Sequence, residues 1–149
     1  MIIIPVIYQG PGKYGDFVWM INRHEYIDSL FIFNDNIESK HSYKNGKGNA
    51  AIRKYNINNP NIIIPRSAGI PTGSLRYKGF QELNPSTKKL IDDAIEVIKK
   101  LIQTYKYNKI FYSAEPSGLL GQSLFQIDKK VIQYITTEIC KLNSINNVL

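Results

Sequence analysis

The longest periodic pattern in the chain lies between Asn84 and Tyr105. There NPSTKKLIDDAIEVIKKLIQTY puts Leu90, Ile91, Ala94, Ile95, Ile98, Leu101, Ile102 and Tyr105 on one stripe at helical spacing. Asn84 followed by Pro85 supplies a cap and a first turn, so the pattern predicts a helix lying on a sheet. QIDKKVIQYITTEICKL, 126 to 142, predicts a closing helix with Ile127, Val131, Ile135, Ile139 and Leu142 inward. Shorter apolar runs read as strands: SLFIFN (29 to 34), NIIIP (61 to 65), KIFYS (109 to 113) and MIIIPVIY (1 to 8), whose Pro5 suits an edge or an irregular start. DFVWMINR (16 to 23) matches neither period and reads as a strand or a short helix. GNAAIRKY (48 to 55) has the propensity of a short helix, with Gly48 or Asn49 as N-cap. Segments 9 to 15, 66 to 80 and 114 to 123 read as loops, and NSINNVL as a loose tail. The alternation predicts an α/β fold in three layers, a mixed or mainly parallel sheet flanked by helices.

Length changes this picture only by limiting it. With 149 residues, 43% of them hydrophobic, the chain suits one domain, 1 to 149, with a single core. No apolar run has membrane-spanning length and the opening residues do not resemble a signal peptide, which leads us to expect a cytoplasmic protein without a membrane partner. The single cysteine, Cys140, excludes an internal disulfide and falls in an apolar-periodic stretch, which predicts burial. Phe17, Trp19 and Tyr8 likewise read as core aromatics.

Charge adds one class of partner. Lys and Arg number 19 against 12 acidic residues, a net charge of +7, which admits nucleic acid. The lysines are scattered singly or in pairs on predicted helix surfaces, and the abundance of Lys, Ile, Asn and Tyr also fits an A+T-rich coding bias. His24 and His41 are far apart with no metal-ligand pattern, and Ser117 lacks the frame of a nucleophile elbow, so no metal or cofactor is expected.

Candidate chemistry sits in three loops expected beyond the carboxyl ends of strands, where helix N-termini offer unpaired N–H groups. The first runs from Asn34, Asp35 and Asn36 to Gly46, Lys47, Gly48 and Asn49, with Arg53 one turn further on. The backbone at Gly46 and Gly48 can approach a phosphate and Lys47 can add charge, while Arg53 can clamp a phosphate, pair with Asp35 or lie solvated on a helix face. The second, 66 to 80, offers Arg66, Ser67, Thr72, Gly73 and Arg76, although turn chemistry alone accounts for its Gly and Pro. The third, Ser113 to Ser123, carries Ser117, Gly118 and Gly121 and is longer than a simple strand-to-helix connection requires. Asp35 either holds a ribose hydroxyl or orients a hydrolytic water, the catalytic candidate, or else closes a turn on its own backbone. Glu115 is a second carboxylate beside a glycine-containing loop.

A strand ending in Asn, a glycine-rich stretch leading into an Ala-Ile helix, and a late strand with a Ser-Gly loop before the last helix resemble the macrodomain plan of ADP-ribose-binding proteins. FIFNDN, NGKGNAAIR, AGIPTG and SGLLG also resemble a phage and bacterial family marked by an aromatic strand, Asp-Asn, Gly-x-Gly, Ala, Arg and Gly-Ile-Pro-Thr, over Phe31 to Ile135. The macrodomain resemblance implies that Asn34 or Asn36 faces the distal ribose, that Gly46 and Gly48 form the first glycine loop, and that Ser117, Gly118 and Gly121 hold phosphate. It leaves Asp16 as the possible reader of adenine.

The expectation is therefore a macrodomain-like or Rossmann-like domain whose partner is a nucleotide or ADP-ribose-type diphosphate, with hydrolysis as an optional addition. The alternatives are a viral or phage factor that sequesters a signalling nucleotide without turnover, and a basic nucleic-acid-binding module.

Overall fold

The computed structural model describes residues 1–76, 78–121 and 126–145. Tyr77, the end of the third loop from residue 122 and the last part of the tail therefore lie outside the described residues. Among the described residues five strands form one sheet: β1 (Ile2–Val6), β2 (Ser29–Asn36), β3 (Ser67–Ser74), β4 (Lys78–Gly79) and β5 (Lys109–Ser113), in the order β1-β5-β2-β3-β4. All neighbours run parallel except β3 and β4. The chain is thus mixed α/β with a mostly parallel sheet, as the alternation of patterns predicted, and Pro5 does lie on an edge strand.

Two helices form as the stripe positions require. α2 (Pro85–Thr104) begins at Asn84, whose side chain accepts from the Thr87 amide, and α3 (Lys129–Lys141) begins at Asp128, which accepts from Lys130. Their inward aliphatic residues pack with Leu30, Ile32, Ala68, Ile70 and Ile110 on one face of the sheet. Burial of each such side chain contributes about 1.5–3 kcal/mol, which is what fixes the helices there.

The opposite face is covered by short pieces: α1 (Phe17–Met20) and a 3₁₀ segment, Gly48–Tyr55. Its core is aromatic. Phe31 and Phe111 stack with centroids 5.2 Å apart, and Phe17 and Tyr26 meet them edge-on.

Several expectations need correction. NIIIP is not a strand: Ile63 is 90% exposed, and the Asn56 and Asn59 side chains accept from the amides of Asn58 and Asn61, folding the segment into turns. The strand lies downstream, in the stretch expected to be loop, because SAGIPTGS has side chains small enough to pass close beneath Asp35 and beside β4. β2 extends to Asn36, so Asp35 and Asn36 belong to the strand rather than to a turn beyond it. Cys140 is exposed on α3, and Tyr8 is 54% exposed just past the end of β1. Trp19 is half-buried against the aromatic cluster, while Phe17 is fully buried.

Candidate functional site

β1, β5 and β2 lie side by side and parallel, so their carboxyl ends open on one edge of the sheet. A cleft of about 540 Å³ occupies that edge, lined by Asp16, Asn34, Gly48, Asn49, Ser113 and Gly121, with Tyr8, Val18 and Ala50 completing it.

Each lining residue has a local cause. Asn34 stands near the end of β2, and its Nδ2 donates to the Gly121 carbonyl at 2.7 Å, tying the strand to the loop after β5. The Gly121 amide in turn donates to the Ser113 carbonyl at 2.9 Å, and Ala114 bridges to Leu120. The loop of residues 114–120 therefore folds back on itself, and Gly121 comes to the cleft beside Ser113. Gly48 has φ of +57° with open space where a Cβ would stand, the left-handed turn that starts the 3₁₀ segment at the cleft wall. Asp16 is the N-cap of α1, and both of its carboxylate oxygens are engaged, Oδ1 by the Val18 amide at 3.1 Å and Oδ2 by the Gly12 amide at 2.8 Å. These bonds hold the loop after β1 in place.

The remaining candidates are placed elsewhere. Asp35 is 4% exposed and faces Arg53, whose Nη2 donates to Oδ1 at 2.5 Å; the Asn36 amide donates to the same oxygen at 2.9 Å. Arg53 also donates from Nη1 to the Lys44 carbonyl at 2.9 Å, while its buried Nε has no partner among the described residues. The pair pins the Lys44–Gly48 stretch to the end of β2. Gly46 is held there too, its amide donating to the Ala50 carbonyl at 2.9 Å. Asp35 and Arg53 thus support one wall of the cleft from behind and do not line it.

Asn36 caps the short turn Ile37–Ser39 by accepting from the Ser39 amide, and Lys47 is an exposed N-cap of the 3₁₀ segment. Thr72 is fully buried, with Oγ1 donating to the Asp35 carbonyl at 3.3 Å, and Gly73 pairs with Gly79. Ser117 and Gly118 occupy the tip of the turn that the Gly118 amide closes on the Glu115 carbonyl at 2.8 Å. None of these lines the cleft.

The sequence reading overlooked Val18 and Ala50 as lining residues and assigned Tyr8 to the core. Tyr8 carried a usable signal, since it lies two positions beyond the end of β1, where a parallel strand delivers side chains to the same edge as Asn34 and Ser113.

Among the described residues no group of His, Cys, Asp and Glu could hold a metal ion, and no helix is long and apolar enough to cross a membrane. No family model, no curated protein and no solved structure matches the chain. Function must therefore be argued from the cleft itself.

Proposed function

We propose that the cleft binds a nucleotide or an ADP-ribose-type diphosphate and holds it without turnover. The observation that carries this reading is the meeting of Asn34, Gly48 with Asn49, and Gly121, drawn from three distant parts of the chain, at the carboxyl ends of adjacent parallel strands. That edge is where open α/β sheets take ligands. The Gly48 main-chain amide supplies a donor for a phosphate oxygen, Asn34 Oδ1 and the Asn49 side-chain amide offer partners for sugar hydroxyls, and exposed Lys47 contributes positive charge beside them.

Binding without hydrolysis is favoured over an enzyme by two placements. Asp35, the residue expected to orient water, is buried against Arg53. Asp16, the carboxylate that does line the cleft, already accepts an amide proton on each oxygen. A nucleic-acid role has less support, because three of the four lysines on α2 engage neighbouring carboxylates on the helix surface: Lys88 pairs with Asp92, Lys89 with Asp93 and Lys99 with Glu96.

The test is thermal shift against a panel of mono- and dinucleotides including ADP-ribose, followed by chromatography of the incubated ligand. Saturable stabilisation with the ligand recovered intact is expected, and Val18→Trp, which fills the cleft from an exposed position, should abolish it. Indifference to every nucleotide, or a shift that Val18→Trp leaves unchanged, would remove the proposal.

A further inference from the structure

We propose that a second cavity, beside the open edge of β3, is a binding site for a small carboxamide with an apolar body. This cavity, of about 230 Å³, shares no lining residue with the nucleotide cleft. Its walls are the edge of β3 at Ser67, Gly69 and Pro71, the apolar side of α2 at Ala94 and Val97, and Asp35.

The polar half of the site follows from strand pairing. The Phe31 amide donates to the Arg66 carbonyl at 2.9 Å, and Phe31 stands opposite Ser67 in the parallel ladder. Main-chain groups of a parallel strand alternate between its two sides, so Arg66, Ala68 and Ile70 address β2 while Ser67, Gly69 and Pro71 turn theirs outward. β4 covers that outer side only from Gly73 onward. The Gly69 N–H and C=O therefore lie on an open strand edge, and Gly69 itself lines the cavity.

Asp35 completes the arrangement. Its Oδ1 takes both the Arg53 guanidinium and the Asn36 amide, whereas Oδ2 has no hydrogen-bond partner among the described residues. A Cβ built on Gly69 would stand 2.8 Å from Oδ2 and 3.0 Å from the Phe33 ring, which places that oxygen over the sheet face at Gly69, next to the open strand edge. Asp35 is only 4% exposed and lines this cavity, so Oδ2 meets solvent from the cavity, and a ligand that fills it must bring a donor in place of that water.

Because Arg53 already offsets the Asp35 charge, the fitting donor is a neutral one. A primary carboxamide supplies the required pattern. Its carbonyl can accept from the Gly69 amide, its NH₂ can donate to Asp35 Oδ2, and its body meets the aliphatic wall of α2. A carboxylate of the same shape has no proton to give Oδ2, and Lys40 and Asp93, which also line the cavity, offer it one attraction and one repulsion.

Benzamide is a suitable probe, with benzoate as its isosteric control, titrated into isotope-labelled protein while main-chain amide resonances are followed. The expected result is a saturable shift centred on Gly69, Ala94 and Val97 in the millimolar range, with benzoate weaker by about tenfold or more, a difference of ~1.4 kcal/mol. Val97 is 42% exposed, so Val97→Trp can block the mouth without disturbing the core, and it should abolish the benzamide shifts. An unmoved Gly69 resonance at saturating benzamide, equal binding of benzoate, or binding that survives Val97→Trp would each overturn the proposal. Nucleotide binding is read at Gly48 and Gly121, so the failure of one site is distinguishable from the failure of the other.

Discussion

The two faces of the sheet are built on different principles. On one, α2 and α3 lay aliphatic stripes against Leu30, Ile32, Ile70 and Ile110. On the other, short irregular segments cover a cluster of Phe17, Phe31, Phe33 and Phe111, and polar pins do the fastening: Arg53 to Asp35, Arg66 to the Ser29 carbonyl, and the Ser67 hydroxyl to the Ile52 carbonyl. The first face is held by many small, replaceable contacts. The second depends on a few directional ones; it shapes the cleft at the carboxyl ends of the strands and shares the walls of the smaller cavity with α2.

The largest expected effect tests that dependence. Removing one member of a buried ion pair strands the other in a medium that solvates charge poorly, at a cost of about 3–5 kcal/mol. Arg53→Ala should therefore lower the urea midpoint by a large fraction of a stability that is about 5–15 kcal/mol for an ordinary domain. Asp35→Asn combined with Arg53→Met, which removes both charges, should recover much of that loss. A single variant as stable as the parent would show that the second face does not hang on this pin.

Truncating rings sharpens the contrast in a graded way. Phe111 touches Phe31, Tyr26 and Tyr14 together, so Phe111→Ala should cost about 3–5 kcal/mol. Ile98→Val on α2, equally buried, should cost only about 0.5–1.5 kcal/mol, because neighbouring aliphatic chains can close over one methyl group. The Asn84 cap of α2 is worth about 1 kcal/mol, read as the midpoint change in Asn84→Ala. If Asn84→Ala proved costlier than Phe111→Ala, the ranking of the two faces would be reversed.

The same difference explains what the sequence disclosed. α2, α3 and β5 were legible because a periodic stripe or a short β-branched run reports burial on a regular element. β3 was hidden because its burial rests on Gly69, Thr72 and Gly73, whose value is that they are small, and smallness also reads as turn. NIIIP was misread for the converse reason, since a β-branched run carries no mark of the Asn turns that expose it. Within the site, Asn34, Gly48, Asn49 and Gly121 were legible from strand-end position and glycine spacing. The alternation that separates Asn34 from Asp35 needed a strand running to Asn36, whereas the aromatic pattern alone ended it at Asn34.

Tyr112 ties the loop after β5 to the aliphatic core and gives the smallest effect. Its side chain packs in the aliphatic core, and its hydroxyl donates to the Gly118 carbonyl at 2.7 Å, holding the turn that leads to Gly121. Burial, with a smaller contribution from nearby Cys140, pushes the phenol up to about 12. A raised phenol favours the protonated form in the fold, so its contribution is fully present below the unfolded value of about 10 and is lost as pH rises through about 12. Tyr112→Phe should cost about 0.5–1 kcal/mol at neutral pH through the missing hydrogen bond. Burial also raises the Tyr107 phenol, so both proteins should weaken in alkali, and only the difference between them isolates Tyr112. That difference, taken from urea midpoints between neutral pH and the alkaline limit, should shrink once the parent phenol ionises and can no longer donate to Gly118. A gap that stayed constant across the alkaline range would show that the Tyr112 hydroxyl contributes nothing to holding this turn.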